Sequence, residues 1–365
     1  MINLQFFPSR EIAFYTVKLF VTRSLAVLVA LVLILMTLDL LGESGKILKV
    51  EGNGDAELWR YVMLRLPLLA ARFLPFSVLL GTLIAFAGLN QHSEVIAMKA
   101  AGISAHQILA PLIVASLAIA GLTFVFNETV VVNSARAVTA WSDNDYGPVP
   151  ADSAISSNVW VRHGGDLVRA RYIGGTGARF HAEKLTIYER EGGILARIVE
   201  AERAVPEGAG WTLSNVRIYD AEMNLVRRQP QIRALAGVEP EQFTLARTDP
   251  DLVDFFTLRE RIAQMERAGR PTAEAEPGLW HKISSPLSTL LMPLLAAVAA
   301  FGLARSGHVL LRATIGMALG FAYFVADNFS LAMGNVGAYP PIIAAWAPFL
   351  LFLLIGETVL IQSEE

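Results

Sequence analysis

The sequence predicts an α-helical membrane protein with six transmembrane helices and an all-β jelly-roll domain inserted between the third and the fourth. Composition is the first reason, since 54% of the 365 residues are hydrophobic and 17% are charged, whereas a soluble domain has about 25% charged residues. The distribution of charge is the second reason, because more than half of the charged residues lie between positions 129 and 279. A polar segment is therefore framed by two apolar ones.

Six windows of the sequence come close to the ~20 apolar residues that a helix needs to cross a bilayer. They are residues 25–41, 66–89, 107–127, 283–304, 313–334 and 341–361. Three windows precede the polar segment and three follow it, so both chain ends are expected on one side of the membrane and the polar segment on the other. Short loops on the N-terminal side carry slightly more Lys and Arg, which favours a cytoplasmic N-terminus. We expect the N-terminal residues to remain as the start of the first span.

The polar segment has the pattern of an antiparallel β domain. Six runs alternate apolar and polar residues between Gly-rich turns: 158–163, 167–173, 184–190, 196–205, 212–220 and 224–229. This period of two predicts a sandwich or jelly roll. From Asp251 the spacing becomes helical, with Asp249 or Asp251 as the N-cap and with Gly269 and Pro271 ending the helix. The predicted domains are residues 1–128, 129–250, 251–282 (a connecting helix and linker) and 283–365.

Several classes of function are excluded by what the sequence lacks. A net charge of −3 without a Lys/Arg-rich run excludes nucleic-acid binding. The chain has no cysteine and its six histidines show no ligand spacing, so no metal site is expected. The nearest approach to a phosphate-binding loop, residues 40–47, lacks the first Gly and the final Ser/Thr of that motif. We therefore expect no nucleotide site and no catalytic residues.

The segment between the second and third windows, residues 90–104, predicts a short helix at about 93–102. Ser93 is the predicted N-cap, Glu94 lies in the first turn and Gly102 ends the helix. Val95 and Met98 are then exposed on one side. Such a helix is either an ordinary turn or a knob that enters a groove on a cytoplasmic partner.

Charged residues inside the windows are costly and are therefore candidates for function. Arg72 either snorkels outward or pairs with the phosphates of an anionic lipid. Asp39 caps its helix, pairs with Lys46 or contacts substrate. Asp327 lies in the middle of its window and is expected to have a buried partner. Glu357 is expected to be structural.

The strands of the insert have two further features. Arg162, Arg169, Arg171 and Arg179 are interpreted as a solvated face. The first and last strands, near 158–163 and 242–247, are expected to be edges with which another β domain can pair by strand addition.

Several strings resemble the lipopolysaccharide-export permeases of the LptF/LptG type. The resemblance is carried by QHSEVIAMKAAGIS (91–104), LWHKISSPLSTLLMPLLA (279–296) and FVADNFSLAMGNVGAYPPIIAAWAP (324–348), together with the three-plus-three spans. The W-x-K-I-x-x-P-L-S string and the Asp-containing fifth span followed by PPII resemble LptG more than LptF. An LptF-like paralogue is the alternative within the family, and a non-transporting membrane scaffold with a periplasmic β interaction domain is the alternative outside it.

The resemblance implies partners and a location. It implies a multi-pass protein of the bacterial inner membrane whose β domain lies in the periplasm, paired with a paralogous permease (LptF). A soluble ATPase dimer (LptB) that carries the ATP and Mg would bind the short helix, with Glu94 as the polar contact and Val95 and Met98 as the apolar ones. Lipopolysaccharide would leave the membrane toward β-jelly-roll proteins of the LptC and LptA type.

The resemblance also implies a site for a phosphorylated lipid headgroup. The basic residues expected at the outer ends of the first two spans are Lys46, Lys49, Arg60, Arg65 and Arg72. This chain departs from relatives that have lysine in the outer half of the first span, because residues 36–45 contain none. Asp327 matches an Asp of the family, and its expected partner is Arg72 or a group on the paralogous subunit.

Overall fold

The computed structural model describes residues 8–148, 156–175, 180–245, 249–267, 270–301 and 309–362. The chain folds into two compact units. The membrane unit comprises Met1–Gly42, Arg65–Val132 and Asp254–Glu365, and the β unit comprises Glu43–Leu64 and Asn133–Val253. The segment 43–64, which the sequence-based division placed in the first membrane half, therefore belongs with the β domain.

The helices in chain order are α1 (Arg10–Leu48), α2 (Asp55–Gln91), α3 (Glu94–Ala100), α4 (Ala105–Phe126), α5 (Val132–Ser142), α6 (Pro240–Leu245), α7 (Phe255–Arg267), α8 (Ala275–Phe301), α9 (Val309–Asn335) and α10 (Pro341–Gln362). A π-helical turn, Asn127–Val131, joins α4 to α5. Six helical segments are long and apolar enough to cross a membrane, as the sequence predicts. They contain the six predicted windows, except that residues 302–304 lie outside the described part of the chain.

The central helix of the membrane unit is α8. Its most apolar window is 78% buried, whereas that of α1 is 11% buried. α8 contacts α4, α9 and α10, and a Cβ on Gly356 of α10 would lie 2.7 Å from the side chain of Leu294. A small residue thus permits close approach of these helices. On α1, by contrast, large apolar side chains such as Leu25 and Leu33 remain exposed.

The β unit contains one six-stranded antiparallel sheet. Its strands are β1 (Ser156–His163), β2 (Asp166–Gly174), β3 (His181–Glu191), β4 (Ile194–Glu207), β5 (Gly210–Asp220) and β6 (Leu225–Ala234). All six predicted strands are present. The described strands pair in chain order, from β1 to β6, which is a meander and lacks the Greek-key crossings of a jelly roll.

One face of the sheet forms the core of the β unit. Val168, Leu185 and Leu213 are fully buried on it. The Phe243 ring of α6 lies edge-on to Trp211, with 5.1 Å between the ring centroids. The indole N–H of Trp211 donates to the carbonyl oxygen of Val238 at 2.7 Å. The segment after β6 therefore covers this face.

The position of the last strand differs from the prediction. Residues 242–245 lie in α6, and residues 246–247 lie outside the described residues. The strands with one described neighbour are β1 and β6. The predicted edge at 158–163 is confirmed. The other predicted edge is wrong at residues 242–245, because the chain turns at Leu235 and packs a helix on the sheet.

Tyr146 explains why the segment 43–64 joins the β unit. Its hydroxyl donates to a Glu43 carboxylate oxygen at 2.7 Å, and its carbonyl accepts hydrogen bonds from Asn53 and from the Trp141 indole at 3.0 and 2.9 Å. Arg60 lies 4.8 Å from the centroid of the Trp141 ring, a cation–π distance.

The helix predicted after Asp251 is present as α7, but its cap differs. Asp254 Oδ1 accepts the backbone N–H of Thr257 at 3.0 Å. Asp249 accepts from Asp251 N–H at 3.0 Å, within the 3-10 turn Pro250–Leu252. Gly269, the predicted end, lies outside the described residues.

Candidate functional site

The ends of α3 agree only partly with the prediction. Ser93 occupies the predicted N-cap position, but it has a left-handed backbone (φ 58) and its side chain accepts no capping hydrogen bond. Gly102 has φ +83 and its N–H donates to the carbonyl of Lys99 at 2.9 Å. A positive φ favours glycine, so the predicted end of the helix is confirmed.

The exposed side of α3 differs from the predicted one. Val95 is 4% exposed and belongs to the core of the membrane unit, and Met98 packs against that core. Residues three apart share one side of a helix, and this side faces inward here. Ile96 is 66% exposed and Lys99 is exposed as well. The surface that α3 offers to a partner is therefore the Ile96 face, defined by Ile96 and Lys99.

Glu94 connects α3 to α1. Its carboxylate accepts a hydrogen bond from the Tyr15 hydroxyl at 3.2 Å, and the side chain is half-buried. Together with the buried Val95, this contact fixes α3 to the rest of the membrane unit.

Asp39 forms a two-pronged ion pair with Arg65. The guanidinium Nε and Nη2 atoms lie 3.0 and 3.2 Å from the two carboxylate oxygens, which joins α1 to α2. The predicted pairing of Asp39 with Lys46 is wrong. Lys46 instead lies 2.8 Å from Glu43, one turn earlier on the same helix.

Arg72 lies seven residues after Arg65 on α2, so the two side chains share one side of the helix about 10 Å apart. Arg72 is exposed, and within the described part of the chain it forms no ion pair. Three of the five predicted headgroup residues, Lys46, Lys49 and Arg60, belong to the β unit, whereas Arg65 and Arg72 belong to the membrane unit.

Asp327 is paired with a histidine. The His281 Nε2 atom lies 3.0 Å from Asp327 Oδ2, and the side chains are 23% and 13% exposed. The predicted partner within this chain, Arg72, is wrong. His281 is on α8 and Asp327 on α9, so the contact joins these helices.

A second pair on α8 was missed by the sequence reasoning. Lys282 Nζ lies 3.2 Å from Glu128 Oε1, and both side chains are nearly buried. Phe255 is the first residue of α7, and its backbone N–H donates to the same carboxylate. Glu128 itself lies in the π-helical turn. Both charges lie just outside predicted windows, so a search for charges flanking the windows would have found them.

Glu357, predicted to be structural, lies near the end of α10. Its carboxylate is 3.4 Å from His106 of α4, so it links two helices.

Six apolar helical segments in the described part of the chain, with an antiparallel sheet between helices, define the class, a multi-pass membrane protein with a separate β unit. The model of the family described as "Lipopolysaccharide export system permease LptF/LptG" matches residues 14–362, and the chain belongs to this family. The resemblance stated from the sequence is thereby confirmed, and the chain is a permease of the lipopolysaccharide export system.

Two curated relatives carry the same name, lipopolysaccharide export system permease protein LptG. The relative from Escherichia coli (strain K12) is 24% identical over 349 residues, which is 93% of this chain and 94% of the relative. The relative from Haemophilus influenzae is 25% identical over 311 residues, 83% of this chain and 86% of the relative. The predicted likeness to LptG agrees with both names.

Proposed function

We propose that this chain is the LptG-type half of an ATP-driven exporter that takes lipopolysaccharide from the inner membrane and passes it toward periplasmic β-domain proteins. A soluble ATPase dimer (LptB) would bind the Ile96 face and hydrolyse ATP with Mg, so the chain itself needs no cofactor. The observation that carries this proposal is the family match over residues 14–362, joined to a short helix whose exposed side is apolar and basic.

The proposed coupling runs through α1. This helix contacts α3 at Tyr15 and holds Arg65 through Asp39. The 24 residues between these positions span about 36 Å of helix, which is more than the hydrocarbon core. Movement of α3 by the ATPase would therefore reach the Arg65 end of α1 as a rigid-body motion.

Arg72 is the proposed phosphate contact. An exposed guanidinium within an apolar helix is costly without an anion, and its planar fork suits a phosphate group. Arg65 would lie beside the same headgroup, oriented by Asp39. Lys46, Lys49 and Arg60 remain further candidates for headgroup contacts.

The paralogous permease (LptF) would cover part of the exposed apolar side of α1, where Leu25 and Leu33 are not packed within this chain. The β unit would lie in the periplasm and act by pairing its β1 and β6 edges with LptC-like and LptA-like domains. These assignments are supported by the family and by the single span, α4 with α5, that lies between α3 and the sheet along the chain.

The experiment is ATP-driven release of lipopolysaccharide from proteoliposomes that contain the whole complex. Ile96→Asp places a charge on the docking surface without touching the core, so release should fall about tenfold or more. Ile361→Asp is the matched control, because Ile361 is also an exposed isoleucine (51% against 66% for Ile96) and lies in the last turn of a helix of the membrane unit, α10. Normal release by the Ile96→Asp complex would contradict docking on this face.

A further inference from the structure

A cavity of about 910 Å³ lies on the sheet and is lined mainly by charged and polar residues. Along β3, Leu185 and Ile187 are buried in the core, and Leu185, Thr186 and Tyr188 all contribute to the cavity lining. This volume lies in the range of ligand-binding cavities. Lys184 and Asn215, with φ values of 49° and 51°, also line it. Left-handed residues inside strands bend a sheet.

The cavity is strongly basic although the chain as a whole is acidic. Its described lining contains two carboxylates and five cations, Arg169, Arg171, Lys184, Arg217 and Arg228. Both carboxylates already have partners. Glu200 lies 3.3 Å from Arg217, and Glu202 accepts a hydrogen bond from Asn215 at 2.7 Å. Arg171 also lies 4.0 Å from Asp145. The five cations of the lining still outnumber these three carboxylates.

Two of the arginines lie side by side in the cavity. Arg217 and Arg228 stand directly opposite each other on β5 and β6, and both are exposed. Like charges in directly opposed positions of a sheet repel, and the Arg217–Glu200 pair offsets part of this repulsion. A bound anion between the two guanidinium groups would offset the rest and could accept hydrogen bonds from both.

An aromatic pair adjoins the cavity through Tyr188, which lines it. The rings of Trp160 and Tyr188 are stacked, with 5.6 Å between centroids and 17° between planes, and Trp160 is 45% exposed. The Arg169 guanidinium carbon lies 5.5 Å from the centroid of the Trp160 ring. Thr186 and Gln229 add uncharged hydrogen-bonding groups to the lining. A flat aromatic shelf beside arginines, hydroxyl and amide groups matches the apolar faces, hydroxyls and phosphates of a phosphorylated sugar.

We propose that this cavity binds a phosphorylated oligosaccharide, with Arg217 and Arg228 on a phosphate group and with the Trp160–Tyr188 shelf along a sugar ring. This proposal rests on the proposed function, because a lipopolysaccharide exporter would encounter a phosphorylated oligosaccharide as the saccharide part of its substrate. It assigns to the β unit a contact with the saccharide part of the substrate and leaves the acyl chains to the membrane unit.

The test is binding of deacylated lipopolysaccharide to the full-length chain in neutral detergent, measured by isothermal titration calorimetry. Arg217→Gln/Arg228→Gln should weaken binding about tenfold or more, since each tenfold change is about 1.4 kcal/mol and two charge-assisted contacts are lost. Arg197→Gln/Arg233→Gln is the matched control. It also removes two arginines of the sheet, which pair with Glu189 and Glu207 outside the cavity, and it should bind nearly as the parent does.

Four further measurements fix the interpretation. The double substitution removes both the repulsion and the exposed Arg217–Glu200 pair, so the melting temperature should change little, and unfolding would be recognised by a clearly lower one. If the melting temperature is lower, binding is measured with Arg217→Lys/Arg228→Lys, which keeps the charges. Retained binding by this variant supports the proposal, and lost binding overturns it. Dephosphorylated probe should bind much more weakly, and polyglutamate should not bind as tightly as the probe.

Equal affinity of the parent and the Arg217→Gln/Arg228→Gln variant would overturn the proposal. So would an equal loss in the Arg197→Gln/Arg233→Gln control, which would indicate a general effect of charge, or tight binding of polyglutamate, which would indicate a protein partner. The probe lacks acyl chains and no ATPase is present. Failure here would therefore leave the proposed export function standing, and Ile96→Asp, which tests that function, should bind the probe normally.

Discussion

Two adjacent residues of α8 hold this helix against its neighbours. His281 contacts Asp327 of α9 at 3.0 Å, and Lys282 contacts Glu128 after α4 at 3.2 Å. In a nearly buried setting an unpaired charge is costly, and removing one partner of such a pair typically costs about 3–5 kcal/mol. These pairs therefore set the spacing of the helices around α8.

Lys282→Met should lower the stability of the detergent-solubilised chain by about 3 kcal/mol, because Glu128 keeps only the Phe255 N–H as a partner. Thermal unfolding followed by tryptophan fluorescence measures the change. Glu128→Gln/Lys282→Met should recover much of the loss, since no buried charge is left unpaired. A single variant as stable as the parent would show that the pair contributes little.

The sequence patterns predicted which residues belong to α3 better than they predicted which of their side chains are buried. Ser93, Glu94, Val95, Met98 and Gly102 all belong to α3 or its ends, but a seven-residue helix with apolar residues on two sides does not indicate which side is covered. The covered side is decided by the helices packed against it. The packing of helices likewise decides which residues distant in sequence form pairs, such as Asp39 and Arg65.

At the scale of elements, β6 is an edge strand with apolar residues at its start. Leu225 and Val226 are 44% and 66% exposed, and β6 pairs with β5 among the described strands. Exposed edges with unpaired backbone groups are usually covered or charged. Four arginine or glutamine residues at 227, 228, 229 and 231 provide the polarity here, which keeps the edge soluble while leaving its backbone available.

A photo-crosslinking residue at Arg227 or Gln231 should capture another β-domain protein of the export system in intact membranes, because strand addition would bring that protein beside β6. The same residue at Arg203, exposed on the interior strand β4, is the control and should give no such adduct. Equal yields of adduct at all three positions would indicate random encounter and would contradict strand addition at β6.

Most elements could be predicted because their signals are strong. Windows of about 20 apolar residues can hardly be anything other than spans, and a sustained period of two indicates strands. The pairing order of the strands and the helical conformation of residues 242–245 could not be predicted, because alternation fixes which face is buried and leaves the choice of neighbour to the turns. The π-helical turn at Asn127–Val131 has no sequence signal of comparable strength.

At the scale of the whole molecule, α3 is a fixed part of the membrane unit. Val95 is buried in the core and Glu94 accepts a hydrogen bond from Tyr15, so under the proposed coupling a load applied at Ile96 would pass to α1 and to the Asp39–Arg65 pair. We propose that the ATPase acts on the Ile96 face and that the Val95 side of the same helix is closed to it.

Cysteine crosslinking tests this claim most directly, because the natural chain contains no cysteine and each single substitution introduces a unique thiol. Ile96→Cys and Val95→Cys are compared in the assembled complex with a short thiol-to-amine crosslinker. Ile96→Cys should form an adduct with the ATPase that depends on nucleotide, and Val95→Cys should form almost none. Efficient crosslinking from position 95 with none from position 96 would contradict the account.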